Sequence, residues 1–309
     1  MINFRYHVVS LTAVFLALAI GLVVGTAALN GPVANDLNSR VTDLRQTNSQ
    51  LRGQVADLET QVQGRDGFVK QVAPTLLANR LTAKRVLVVT LPGAAPAHRQ
   101  GVVSMLEQSG ATVTGTLGFT EAFVDPTRSD EVLDLATRLV PPGVAGLPAD
   151  NNGTETAAAL FGRVFSAGRA GVTDANRTTL LAGFGQLDLV DASSRVGAAD
   201  SLVVIAGTPL TGADADRRNA NIRTVVTQLA AAFPRDVLAA PTAAGNSNVV
   251  MAVRGDDVLS ARVSTVDTVG SAEGQLAAAM ALAEAYAGGK AGHYGAGDGA
   301  AAPVPTLSR

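Results

Sequence analysis

The chain has 309 residues, room for about two domains at roughly 150 residues each, and its 47% hydrophobic and 16% charged content excludes disorder from end to end. Twenty-four basic side chains face 26 acidic ones, a net charge of -2, so the electrostatic footprint of a nucleic-acid binder is missing. There is no cysteine, which excludes disulfides, zinc–thiolate sites, iron–sulfur clusters and a cysteine nucleophile, and leaves the compartment open because a thiol-free chain tolerates either redox setting.

The first element is apolar. Val8 to Leu29 carries no charge, and no Asp, Glu, Lys or Arg stands between Arg5 and Asp36. At about 1.5 Å per residue this run covers roughly 33 Å, enough for a hydrocarbon core of about 30 Å. Ser10, Thr12 and Thr26 can return their hydroxyls to the backbone. A cleaved signal peptide is the competing reading, with Gly25, Thr26, Ala27 and Ala28 as small residues near a cleavage site; the run exceeds the roughly 7 to 15 residues of a signal core, which favours a span. Arg5 before the span and Asp36 as the first charge after it predict a cytoplasmic amino terminus, residues 1–7, and a carboxyl-terminal domain outside the cytoplasm; Arg40 and Arg45 weaken that asymmetry. Ala17, Gly21 and Gly25 recur every four residues, a stripe of small side chains along which a second helix could approach closely.

Leu37, Val41, Leu44, Asn48, Leu51, Val55, Leu58 and Val62 then alternate spacings of four and three, an unbroken heptad register. Leucine falls at d, and β-branched valine at a except for Asn48, the combination of a parallel two-stranded coiled coil in which the asparagine fixes register. The alternative is a lone amphipathic helix packed on its own globular domain. Arg40 at g opposite Arg45 at e of the partner, and Gly53 in the helix interior, count against the coil. The register ends at Gly64, Arg65 and Gly67, and a short connecting helix, bent or started at Pro74, is expected from Phe68 to about Leu81.

From Arg85 the periodicity changes. Val86 to Leu91 reads as a buried strand, residues around Val102 to Leu106 as a helix ended by Gly110, and Ala111 to Leu117 as a second strand. Helices are expected at Ser129 to Val140, capped by Ser129, at Thr154 to Ala167 and at Ala175 to Leu187. Pro141 to Gly153 is a loop that would suit an excursion or internal boundary. Ser201 to Gly207 is a further strand, followed by a long helix to about Phe233. Asp236 to Ala240, Val249 to Val253 and Arg262 to Val266 are expected strands, and Ser271 to Ala287 is a last helix capped by Ser271. Strands alternating with helices predict a three-layer, Rossmann-like α/β domain with a largely parallel sheet. The expected layout is a membrane helix (8–29), coiled coil and connecting helix (30–82), α/β domain (83–287) and a glycine-rich flexible tail (288–309).

Site motifs are missing. No dinucleotide or phosphate-loop glycine pattern follows a strand, Gly245-Asn246-Ser247-Asn248 lacks the second glycine of a nucleophile elbow, and His7, His98 and His293 are far apart. Catalytic residues are therefore assigned to none, and the chain is read as a non-enzyme. Met105, Met251 and Met280 stand singly among apolar neighbours, as core methionines do, so no soft sulfur cluster announces copper(I). The crevice formed by Leu91 to Ala97, Gly207 to Gly212 and Pro241 to Gly245, at strand carboxyl ends, is where a bound small molecule is expected.

The opening NFRYHVVSLTAVFLALAIGLVVGTAAL, the heptad segment, the strand RVLVVTLPGA and the closing VDTVGSAEGQLAAAMALAEAYAGGKAGHYG together resemble the actinobacterial copper transporter family typified by the mycobacterial copper transport protein B. The resemblance implies a role in keeping intracellular copper low, copper as the ion handled, and a channel-forming place in the mycobacterial outer membrane. It supplies no copper-ligand motif, so metal residues stay unassigned. A barrel pore would need many alternating segments with aromatic girdles, whereas this chain has no Trp and three Tyr, so a pore would have to come from oligomerised helices or assembled domains. The expected partners are membrane lipid, a second copy of the chain in a parallel homodimer or higher oligomer, and copper. The runner-up is an envelope scaffold or sensor whose α/β domain binds a partner and handles no metal.

Overall fold

The computed structural model describes residues 4–149, 151–242 and 248–306. Contacts divide the chain into two units, residues 1–63 and 64–309.

The first unit is helical. The helix α1 (Phe4–Leu77) contributes all its described residues, and Phe4–Thr26 is long and apolar enough to cross a membrane. Within it Thr12 and Thr26 donate their hydroxyls to the carbonyls of Val8 and Leu22, at 2.8 and 2.9 Å, which removes their polar groups from an apolar surround. Beyond the span, Arg40 and Asp36 form an exposed pair one turn apart at 2.8 Å.

The second unit is a mixed α/β body. The last turns of α1 present Ala73 and Leu77 to its core. No separate helix starts at Pro74: α1 passes through it, ends at Leu77, and gives way to turns in which Asn79 adopts φ 62°. Then follow β1 (Arg85–Thr90), α2 (Pro96–Gln108), β2 (Thr112–Phe119), α3 (Glu121–Val124), α4 (Ser129–Arg138), α5 (Gly153–Phe165), α6 (Asp174–Gly185), β3 (Val190–Ala192), β4 (Ser201–Ile205), α7 (Ala215–Ala232), β5 (Asp236–Ala239), α8 (Val249–Arg254), α9 (Asp257–Ser260), β6 (Ser264–Val266), α10 (Ala272–Tyr286) and β7 (His293–Tyr294).

The strands form one sheet in the order β3-β2-β1-β4-β5-β6-β7. All neighbours are parallel except β2 and β3. Alternate side chains serve two cores. Leu87, Val89, Leu202, Val204 and Leu238 join the apolar faces of α3 to α9, while Val86, Val88, Val203, Ile205, Val237 and Ala239 join α2, α10 and the end of α1. Helices thus cover both faces, and the strands read as unbroken apolar runs for that reason. On the first face Phe119, Phe123, Phe161 and Phe184 pack edge-on or tilted, with Phe161 and Phe184 centroids 4.9 Å apart. On the second, Asp66 accepts from the amide of Ala272 at 2.9 Å, closing one orphan donor at the start of α10.

Three local expectations are corrected and one strand was missed. Val249 to Val253 is the helix α8, not a strand: Asn248 accepts from the Val250 amide at 3.0 Å, and Val249, Val250 and Val253 share one buried face. Ser129 does not cap α4; its hydroxyl instead accepts from the Gly153 amide at 3.0 Å, and Gly153 is pressed so closely on Ser129 that a Cβ there would lie 1.9 Å from the Ser129 carbonyl oxygen. The edge strand β3 was not foreseen. Residues 288–306, expected as a flexible tail, supply β7, whose Tyr294 is 7% exposed.

Candidate functional site

The residues singled out in the sequence lie on α1. Ala17 is exposed, and a Cβ added at Gly21 or Gly25 would meet nothing within 4 Å, so the small-residue stripe is open to an approaching surface. Further along, Leu37, Leu44, Leu51, Val55, Leu58 and Val62 are all more than half exposed, with Leu44 at 69%. Val41 and Asn48 belong to the same seam, and a groove bounded by Val41, Leu44, Arg45, Asn48, Ser49 and Arg52 has about 490 Å³. An isolated helix does not keep so long an apolar stripe in water without something to cover it.

The expected crevice is different from what the strand order suggested. Between β1 and β4 the order reverses, which is where open sheets of this kind take ligands. Here the loops after those strands touch: a Cβ on Gly207 would come within 2.2 Å of the Gly93 carbonyl carbon, and Leu91 donates to the Ile205 carbonyl at 2.8 Å. Backbone fills this part of the mouth. Of the third stretch, Pro241 and Thr242 are described, whereas 243–245, and with them most of Gly245-Asn246-Ser247-Asn248, lie outside the described residues. His98 sits in the first turn of α2 with Nδ1 buried and unbonded among the described residues, and its ring lies beside Gly270. Met105 and Met280 are buried in the second core, at 3% and 5% exposure.

The densest polar structure lies instead at the carboxyl ends of β6 and β7. Arg254 and Asp267 form an ion pair at 2.6 Å with side chains 4% and 1% exposed. Arg254 also donates Nε to Thr265 Oγ1 at 2.9 Å, Nη1 to the Asp298 carbonyl at 2.8 Å and Nη2 to the Tyr294 carbonyl at 2.8 Å. Asp267 accepts from the amides of Ala296 at 2.8 Å and Gly297 at 3.0 Å. Four guanidinium N–H groups and both carboxylate oxygens are thereby engaged, which offsets the cost of burying the two charges. The glycines are required: Gly295 has φ 127°, and a Cβ on it would sit 1.9 Å from Asp267 Oδ1. Thr265 already accepts from Arg254, so its hydroxyl proton is free for His293 Nδ1 at 2.9 Å. That bond fits a neutral ring, and burial, with help from Arg254, pushes the His293 pKa down. Tyr294 donates its hydroxyl to Glu284, and burial with that carboxylate raises the tyrosine pKa.

Sequence reasoning missed this clasp. Its one signal was the density of glycine in Gly292 to Gly299, which reads equally as looseness or as close backbone approach. Among the described residues no group of three or more His, Asp or Glu is placed to hold a metal ion.

A family model described as "Copper transport outer membrane protein, MctB" matches residues 1–305. The chain is 29% identical to Copper transporter MctB of Mycobacterium tuberculosis (strain ATCC 25618 / H37Rv) over 309 residues, covering 97% of this chain and 98% of the relative. It is 30% identical over 312 residues to Copper transporter MctB of Mycobacterium leprae (strain TN), again covering 97% and 98%. With a family match that takes in both the apolar helix and the α/β body almost to its last residue, the chain belongs to the MctB family of copper transport outer membrane proteins.

Proposed function

We propose that this protein is a membrane-anchored cell-envelope component of copper transport or homeostasis, held as a parallel homodimer by a coiled coil that continues from its membrane helix. The observation that carries this reading is the family relation along residues 1–305, in which the relatives are named copper transporters. In this proposal residues 1–7 are cytoplasmic, 8–29 span, 30–82 form the coil and connecting helix, and 83–287 form a Rossmann-like domain outside the cytoplasm. Residues 288–306 complete the sheet. A conducting path would arise from helices brought together rather than from a closed barrel, since the sheet is open and covered by helices. The chain is read as a non-enzyme, with copper as its cargo.

The test is cellular copper in a deletion strain complemented with the full chain, with a chain lacking residues 8–29, or with Leu44→Lys plus Leu51→Lys. The proposal expects copper to rise on deletion and to return only with the first. A second reading, a scaffold or sensor that handles no metal, is favoured by the scarcity of grouped metal donors among the described residues. Unchanged copper in the deletion strain, with no copper bound by the purified chain, selects it.

A further inference from the structure

A cavity of about 330 Å³ lies at the amino ends of β5 and β6, whereas the clasp lies at the carboxyl ends of β6 and β7. It is lined by Arg235, Asp236, Arg262, Ser264, Ala285 and Lys290, with neighbouring backbone. Asp236 is 5% exposed, and no other described residue donates a hydrogen bond to its carboxyl group. Its own backbone amide is the one donor to it among the described residues, and an acid buried this deeply with so little support is expensive unless it is neutral or a ligand completes it.

The other charged groups on this wall are all cationic. Arg262 donates one amino group to the Ala230 carbonyl at 3.0 Å, and among the described residues the rest of its guanidinium makes no further hydrogen bond, though its charge acts on Asp236. Arg235 donates Nε to the Ala285 carbonyl at 3.3 Å and lies over the Tyr286 ring at 4.6 Å. Lys290 is exposed and makes no ion pair among the described residues. From α10 the nearest acid, Glu284, is engaged by Tyr294. Three cations around one buried carboxyl group repel a metal ion and attract an anion.

We propose that this cavity binds a small oxyanion, paired by Arg262 and Lys290, and that Asp236 meets it as a protonated acid, so that binding draws one proton from solvent onto the Asp236 carboxylate. A protonated acid donates a hydrogen bond to an anion that its ionised form would repel. Burial supports this, since it pushes the Asp236 pKa up to about 7, with Arg262 acting in the opposite sense. The inference is independent of the copper reading.

The experiment is calorimetric titration of the full chain in detergent with sulfate, which does not itself titrate near neutrality, and with acetate as the carboxylate arm. Runs at pH 6.5 and 8 in buffers of different ionisation heat read the proton. The expected result is saturable binding with uptake of up to about half a proton at pH 7, weakening roughly eightfold from pH 6.5 to 8. Asp236→Asn should bind with neither proton uptake nor pH dependence, and Lys290→Gln, an exposed change that does not threaten folding, should weaken binding several-fold. No saturable binding of either anion, wild-type affinity in both Lys290→Gln and Arg262→Gln, or a pH-independent wild type overturns the proposal.

Discussion

Arg254 and Asp267 meet at 2.6 Å in a place that water scarcely reaches, and through them the chain's last strand, β7, is tied to the end of the short helix α8 and to the residue after β6. The Asp267 carboxylate accepts the amides of Ala296 and Gly297, and its own backbone amide donates to the Tyr294 carbonyl at 3.2 Å. Removing one partner leaves a buried charge uncompensated, which typically costs about 3 to 5 kcal/mol. Arg254→Met is therefore expected to lower stability by about that amount. Hydrogen exchange should accelerate first at residues 294–298, ahead of β1 and β4. Exchange that stays slow there would sink this account of the clasp.

The Asp236 acid predicts a stability that depends on pH. Its folded pKa, about 7, lies above the unfolded value near 3.8 because burial disfavours the charged form. The folded state therefore binds the proton more tightly. The contribution is complete below about pH 4 and is lost as pH rises through 7, a change of up to about 4 kcal/mol. Denaturant titration from pH 5 to 8 should show the wild type losing stability relative to Asp236→Asn, which should be the more stable of the two at pH 8. Parallel curves for the two proteins would contradict the assignment.

The contact between Gly93 and Gly207 makes a prediction about the mouth between β1 and β4. A Cβ at position 207 would meet backbone at 2.2 to 2.6 Å, and backbone cannot swing aside as a flexible side chain can. Gly207→Ala should destabilise by about 1 to 3 kcal/mol or more. In a body of this size each kcal/mol is about 2 to 4 °C of Tm. An unchanged melting temperature would mean that these loops separate readily and that the mouth opens after all.

Strands β1, β4 and β5 were legible because both their faces are buried, so that the sequence shows a plain apolar run bounded by Pro, Gly or a charged residue. The same rule misread α8: Val249 to Val253 is equally apolar, and five residues are too few to reveal a 3.6-residue period. The strand β3 is three residues long and antiparallel, beneath any pattern. The clasp was hidden for a different reason. Arg254, Asp267 and Gly295 are spaced by 13 and 28 residues with no motif between them, and what joins them is tertiary: a glycine that admits a carboxylate where any Cβ would collide. The seam on α1 was legible as a pattern, since one helix carries all of it.

That seam can be tried in isolation, because a coiled coil draws its stability from its own heptads. A peptide of Leu37 to Val62 is expected to dimerise in parallel, and Leu44→Lys plus Leu51→Lys should abolish the dimer by placing four ammonium groups in its d layers. Asn48→Val should raise the melting temperature while widening the distribution of oligomers, since a buried asparagine pair fixes register at a cost in stability. Sedimentation equilibrium and a thermal scan decide both. If the wild-type peptide sediments as a monomer at concentrations well above those in the membrane, the exposed leucines at positions 37, 44, 51 and 58 must be covered by something other than a second copy of this helix, and the dimer falls with that result.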